Sequence, residues 1–363
     1  MMAYWIMFAL PFVGAMWPVD RSALSRAILW AGFVLFVLVI VGLRDKIGGD
    51  WVNYLEAYSR IKEEGLGPAL GNRSVGYGMV NYGASAAGWD IYGVNLVCAG
   101  FFLAGLLRFS LYQPLPCLAW LIATPYLIVV VAMGYTAQSV AVGFTLLVYV
   151  SILERQRWTA IFAFIMAVLF HKSAVFTAFL FLGMLFLEKQ SLLEIVRGLR
   201  QYLSKQPLLL ISGFLILVLI GVQLAPGVYQ TLGYYLFSDH WDSTGGTIRV
   251  LMNAVPAALF LMLGQRLVLK AGALRFWRFI AIVALACVPL LLINSTLADR
   301  LSIYLIPLQL FVFCRLPMLF GDSILRKGAI LLIGVGYGIV QWVWLMYANH
   351  AYEWAPYQNI LLL

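Results

Sequence analysis

At least ten long apolar runs divide this chain, among them Leu29–Leu43, Cys117–Met133, Leu208–Leu224 and Ile330–Tyr347. The runs are continuous and do not alternate with period two. They therefore predict membrane-spanning helices and not barrel strands, because an isolated segment in lipid must satisfy its own backbone. One span takes about 20 residues, so 363 residues hold about twelve spans, within a range of roughly ten to fourteen, joined by short loops. A soluble globule is excluded: 63% of the residues are hydrophobic and 11% are charged, against about 25% charged in soluble domains. The expected fold is an all-α polytopic integral membrane protein. It forms one transmembrane domain over 1–363, with extracytoplasmic segments 44–90 and 225–248. Tyr4–Trp17 has no basic residue before it and reads as a short first span and not as a cleaved leader.

The charges are sorted by side. Placing Arg21 and Arg26 inside puts 17–26, 108–116, 154–158, 188–206, 266–278 and 320–327 in the cytoplasm. By alternation 44–90, 134–138, 171–172, 225–248, 294–300 and 348–363 lie outside. Counting Arg315 with the first set and Arg249 with the second, one side then holds 16 Lys+Arg with 5 Asp+Glu, net +11. The other holds 8 with 10, net −2. Cations collect on the cytoplasmic side of polytopic proteins, so the +11 side is the inner one. This also removes nucleic acid as a reading of the basic balance; the partner of these cations is the bilayer. The four cysteines all lie in apolar runs, with no CxxC and no adjacent His, so neither disulfide nor zinc is expected.

Two outer segments are long enough to carry structure. Trp51, Leu55, Tyr58 and Lys62 recur at helical spacing and predict an amphipathic surface helix. Gly65, Gly67 and Pro68 stop it, and a glycine-rich helix is expected over Val75–Ala87. Segment 225–248 holds an aromatic, acidic stretch, Tyr229–Asp242, with no Lys or Arg. Trp241 and its neighbours suit stacking on a sugar ring as well as an interfacial belt.

Ionisable groups at membrane depth are costly and face a cavity or a partner. The outer candidates are Arg44, Asp45, Asp50, Arg73, His171, Lys172, Arg249, Asp299 and Arg300, with no role settled for Arg73, while Lys46, Arg60 and Lys62 read as surface charges. The glycines of Leu43–Asp50 allow a tight turn that aims Arg44 and Asp50 into an outer cavity. His171 and Lys172 interrupt a run that is otherwise apolar from Ala160 to Leu187. An imidazole can take a proton from a hydroxyl, and the arginine fork suits phosphate oxygens. Gln138 opens a span, and Tyr304 follows Arg300 at i+4. There is no Walker loop, HExxH or GxSxG. Three His cannot form a metal site without acids, so no cofactor or metal is expected.

This order of marks resembles the EpsG-like branch of the Wzy-type polysaccharide polymerases. The residues that carry it are Leu43–Arg44, Gly49–Asp50, Tyr54 and Tyr58, then Gln138, then Phe170–Ala174, then Asp299–Arg300 with Tyr304, and last Trp354–Tyr357. The chain departs from the family at Ala137, where an arginine often stands, and at Ser74–Gly76, where an acid is often found. The resemblance implies a fold like the membrane-embedded glycosyltransferases of the C class. It implies a metal-independent enzyme in the bacterial inner membrane, its active site facing the periplasm or exterior. The enzyme would transfer a growing glycan from undecaprenyl diphosphate to a lipid-linked repeat unit, beside a flippase and a chain-length regulator.

On that reading Arg44, Lys172, Arg249 and Arg300 hold the diphosphate. Asp50, ionised at neutral pH, is the first choice of base and His171 the second. Tyr54, Gln138, Trp241, Asp299 and Tyr304 contact substrate. The rivals are a flippase for the same lipid-linked sugar, a transferase using a polyprenyl-phosphate sugar, and a membrane acyltransferase. A transporter would favour inverted repeats and broken midplane helices, which the sequence does not display.

Overall fold

The computed structural model describes residues 1–17, 22–188, 245–268 and 270–362. The aromatic stretch with Trp241, the apolar run Leu208–Leu224 and the inner segment 189–205 lie outside these residues. The described chain is helical throughout, with a single isolated β-bridge between Arg44 and Asn359. It forms two compact units, 1–175 with 309–363, and 176–308.

The first unit opens with α1 (Met2–Met16), α2 (Ala23–Gly42), α3 (Trp51–Glu64), α4 (Leu66–Gly71) and α5 (Val75–Ala86). It continues with α6 (Ile91–Leu111), α7 (Pro116–Ala123), a π-helix (Thr124–Ala132), α8 (Thr136–Leu153) and α9 (Arg157–Phe170). The second unit holds α10 (Phe179–Glu188), α11 (Gly246–Leu267), α12 (Ala271–Ile293) and α13 (Ser295–Ser302). The chain returns to the first unit within α14 (Pro307–Phe313) and ends with α15 (Ser323–Tyr347) and a short tail.

Among the described residues six helices, α2, α6, α8, α11, α12 and α15, are long and apolar enough to cross a membrane. A seventh span results if Ser295–Leu305 and Pro307–Leu319 act as one. Four apolar helices are shorter: Met2–Met16, Pro116–Ala132, Arg157–Phe170 and Lys172–Gly183. The 14 residues of α9 rise only about 21 Å at 1.5 Å each, against a hydrocarbon core of about 30 Å. The expected twelve spans therefore depend on these short helices and on Leu208–Leu224. What stands is an all-α, multi-pass membrane protein.

Burial separates lipid-facing from protein-facing helices. On α2, Leu24, Ile28, Leu29 and Leu35 are exposed, which suits lipid contact. By contrast α8 is buried along almost its whole length. Glycine makes that possible: a Cβ on Gly105 of α6 would fall on the carbonyl oxygen of Gly143 of α8. A Cβ on Gly143 would lie 2.7 Å from the Cα of Phe102. Without a hydrophobic drive between helices in lipid, small residues let backbones approach and gain packing and polar contacts. In the second unit α10 meets α12 the same way, Gly183 lying against the rings of Phe276 and Phe279.

Loops of the first unit gather at two ends, and they gather as the charge pattern groups them. At one end Arg108 pairs with Glu154 (2.5 Å) and Arg315 donates to the Gln113 side chain. All four belong to the positively charged side. At the other end the tail meets the loop after α2. Asp45 N–H donates to Gln358 O (3.0 Å), Gly48 N–H to Glu353 O (2.9 Å) and Trp354 Nε1–H to Val129 O (2.7 Å). Tyr4 at the N-terminal end donates to Trp354 O (2.6 Å).

Candidate functional site

The site begins with the turn after α2. Gly48 has φ +101, and a Cβ there would collide with the carbonyl of Met133. Only glycine takes both the left-handed backbone and the close approach. Trp51 N–H closes the turn on Gly48 O (3.0 Å), and Asp50 becomes the N-cap residue of α3. Asp50 stands beside the N-terminus of that helix, where negative charge is favoured, and Asn53 donates to its Oδ1 at 3.4 Å.

Both helices expected in segment 44–90 begin and end almost where their sequence signals lie. α3 ends at Glu64 with Gly65 at φ +81, and α5 spans Val75–Ala86. The buried face of α3 differs from the expected one. Tyr58 and Ile61 are buried while Leu55 is 42% exposed. The inward stripe is Tyr54, Ala57, Tyr58 and Ile61, one step away from Trp51–Leu55–Tyr58–Lys62, because α5 and the start of α8 pack on that side.

Tyr54, Ala57 and Ile61 of that stripe line a cavity of about 810 Å³. Tyr54 and Tyr77 face each other with ring centroids 5.0 Å apart. Tyr54 Oη accepts a hydrogen bond from Ala137 N–H (3.2 Å), which links α3 to the first turn of α8. Burial, with the Asp50 carboxylate nearby, pushes the Tyr54 hydroxyl well above its usual range, so it stays protonated. His171 lines the same cavity. Phe170 sets it there: a Cβ on Gly76 of α5 would lie 2.8 Å from the Phe170 ring, so that ring is locked and the chain turns out of α9 into extended backbone. His171 Nδ1 shares a 2.7 Å hydrogen bond with Ser173 Oγ.

Three charged groups line the same cavity: Arg60, Glu64 and Arg73. Arg60 Nε donates to Glu64 Oε1 at 3.3 Å. Both are well exposed, so the pair contributes little to stability and its charges remain accessible to a ligand. The sequence reading treats Arg60 as a surface charge, counts Arg73 among the outer candidates without a role, and does not single out Glu64. The missed signal was the stripe itself: once Tyr54, Ala57 and Ile61 face inward, Arg60 and Glu64 flank that face at helical spacing.

The other expected residues fall elsewhere. Arg44 is 1% exposed and does not line the cavity. Its Nη1 donates to Val41 O (2.6 Å), its Nε to Met133 O (2.8 Å) and its Nη2 to Thr136 Oγ1 (2.8 Å). Burial pulls this guanidinium down to about 10, which still leaves it cationic at neutral pH. Asp45 accepts from Tyr92 Oη at 2.8 Å. Gln138 is buried in the first turn of α8, next to the cavity-lining Ala137. Lys172 follows His171 and is half-buried.

In the second unit Arg249 and Asp299 form a two-point ion pair, Nε to Oδ1 at 2.5 Å and Nη2 to Oδ2 at 2.7 Å. The acid expected beside Arg300 thus pairs with α11. Arg300 is half-buried in α13 and Tyr304 is buried just after it. All four cysteines are free, three of them buried and Cys117 half-buried. Among the described residues no three His, Cys, Asp or Glu side chains gather in a metal-binding group.

Fold and site together define a multi-pass helical membrane protein with a polar, aromatic and arginine-lined cavity among its loop-borne helices. The chain belongs to the EpsG family, which it matches over residues 27–359. Membership makes it a membrane protein of the polysaccharide-polymerase type, glycosyltransferase-like in its chemistry. No curated protein and no solved structure matches the chain.

Proposed function

We propose that this protein is a polysaccharide polymerase. It transfers a growing glycan from undecaprenyl diphosphate to the non-reducing end of a lipid-linked repeat unit, on the outer face of a bacterial inner membrane. One observation carries the reading. Three segments far apart in sequence, each a mark of the family resemblance, meet at the same cavity: Tyr54 from the first, Ala137 beside Gln138 from the second, and His171 from the third.

The reaction joins an acceptor hydroxyl oxygen to the anomeric carbon of the donor glycan. The bond between that carbon and the diphosphate oxygen breaks, and undecaprenyl diphosphate departs with the electron pair. The hydroxyl proton goes to His171, our first choice of base because it lines the cavity while Asp50 caps a helix beside it. Ser173 Oγ shares a hydrogen bond with Nδ1 and so orients the imidazole that takes the proton. Arg60 and Arg73 stabilise the charge on the departing diphosphate, with Lys172 next in the chain. The Tyr54–Tyr77 pair offers a face on which a sugar ring can stack. The ion pair with Asp299 competes for the fork of Arg249, which makes it a weaker candidate for phosphate.

Deleting the gene and separating the lipid-linked glycans tests the proposal. A polymerase predicts single repeat units accumulating on the outer face. The same units trapped on the inner face would indicate a flippase and overturn the reading. Full-length polymer in the deletion strain would also overturn it.

A further inference from the structure

We infer that Arg44 is a positioning residue, which fixes the start of α8 and through it the Tyr54 wall of the cavity, and that it does not touch the diphosphate. The inference rests on the proposed function only in naming the reaction that the wall serves.

The argument starts from helix ends. The last carbonyls of a helix have no intrahelical partner and carry partial negative charge. Val41 O belongs to the last turn of α2, and Met133 O lies just past the π-helix. The Arg44 guanidinium donates to both. Its third arm reaches Thr136 Oγ1 at the first residue of α8. The next peptide N–H, that of Ala137, donates to Tyr54 Oη in the cavity wall. Two helix C-termini, one helix N-terminus and one cavity tyrosine are thus linked through a single side chain.

The tail closes over this point. Arg44 pairs with Asn359 in a β-bridge, Ile360 N–H donates to Leu43 O (3.0 Å), and Trp354 is buried against the π-helix. A ligand therefore has no route to a group that is 1% exposed. Arginine suits the task because its planar fork reaches three acceptors in different directions, which a lysine ammonium on a single stem does less well.

Labelling and kinetics separate this role from ligand binding. Ala137→Cys is introduced in a Cys117→Ala background, which leaves only the buried Cys98, Cys287 and Cys314. In the parent, residue 137 is 5% exposed and reacts slowly with a membrane-impermeant maleimide. Arg44→Lys and Thr136→Val should each raise its labelling rate about fivefold or more, as the start of α8 loosens by local opening, whereas Arg73→Lys should leave it within about twofold. Elongation is then measured with lipid-linked repeat units isolated from the deletion strain. Arg44→Lys should lower kcat about fivefold with KM unchanged, since it removes orientation and no substrate contact.

Unchanged labelling in both variants overturns the inference, and so does a raised KM with kcat retained. If Arg44→Lys fails to accumulate, Thr136→Val carries the labelling arm. Should the parent protein itself not elongate glycans, the proposed function fails while labelling still decides the role of Arg44.

Discussion

On the proposed function, His171 is the residue on which the chemistry turns. Replacing a positioned general base costs about 10²- to 10⁴-fold, so His171→Ala should abolish polymer on a glycan gel while the protein stays in the membrane. Polymer at parental length would remove it from the mechanism. Arg73→Met takes one charge-assisted hydrogen bond from a phosphate, worth about 1.5–3 kcal/mol, and should raise KM for repeat units by about tenfold or more. Tyr54→Phe deletes the acceptor of Ala137 N–H and should cost about 1 kcal/mol of stability, read as a lower Tm in detergent. An unshifted Tm would mean that this bond contributes nothing.

At this scale His171 and Tyr54 were legible, the first because it interrupts an apolar run, the second through the resemblance. Arg60 was not, and Arg73 stood among the candidates without a role. A cation on a surface helix looks the same in sequence whether it faces water or a cavity; only the side on which α5 packs decides. Arg44 is a different case. An arginine at a helix mouth was read as a phosphate ligand, and the structure surrounds it with carbonyls.

Elements were read better than the residues on them. Glycine and proline punctuate the backbone directly, so α3 stops at Gly65 and α5 runs to Ala86, one residue short of the expected end. The rotation of α3 was one step off because its hydrophobic stripe is broad and its partners lie far away in sequence. The close crossing of α6 and α8 gives a sharp test. Gly143→Leu places a side chain where a lone Cβ already sits 2.7 Å from Phe102 Cα. Overpacking of this kind costs about 1–3 kcal/mol or more, and folded protein recovered after extraction should fall severalfold. Normal recovery would show that the helices can part. Gly100→Leu, where a Cβ meets nothing within 4 Å, serves as the control.

For the whole molecule, orientation can be checked directly. If the positive side is cytoplasmic, single cysteines at the exposed Arg155 and Gln156 should resist an impermeant reagent added from outside, while cysteines at Asn53 and Arg60 should react. The reverse pattern would invert the protein and place the cavity in the cytoplasm. The proposed chemistry also requires no metal, so elongation should stay within about twofold in excess chelator; loss of rate restored by a divalent cation would call for a different mechanism.

The sequence by itself determined that this chain lives in a membrane, that its segments are helices, and that its loops divide into two sets by charge. Those properties are summed over many residues or dictated by the solvent: lipid leaves an apolar segment no other way to satisfy its backbone. Tertiary structure alone decided which outer side chains share a cavity. Tyr54, Ala137 and His171 are separated in sequence by whole spans, and their meeting depends on glycine contacts such as Gly76 with Phe170 and Gly48 with Met133. A contact of that kind is a property of two surfaces at once. No local pattern in either strand of sequence records it.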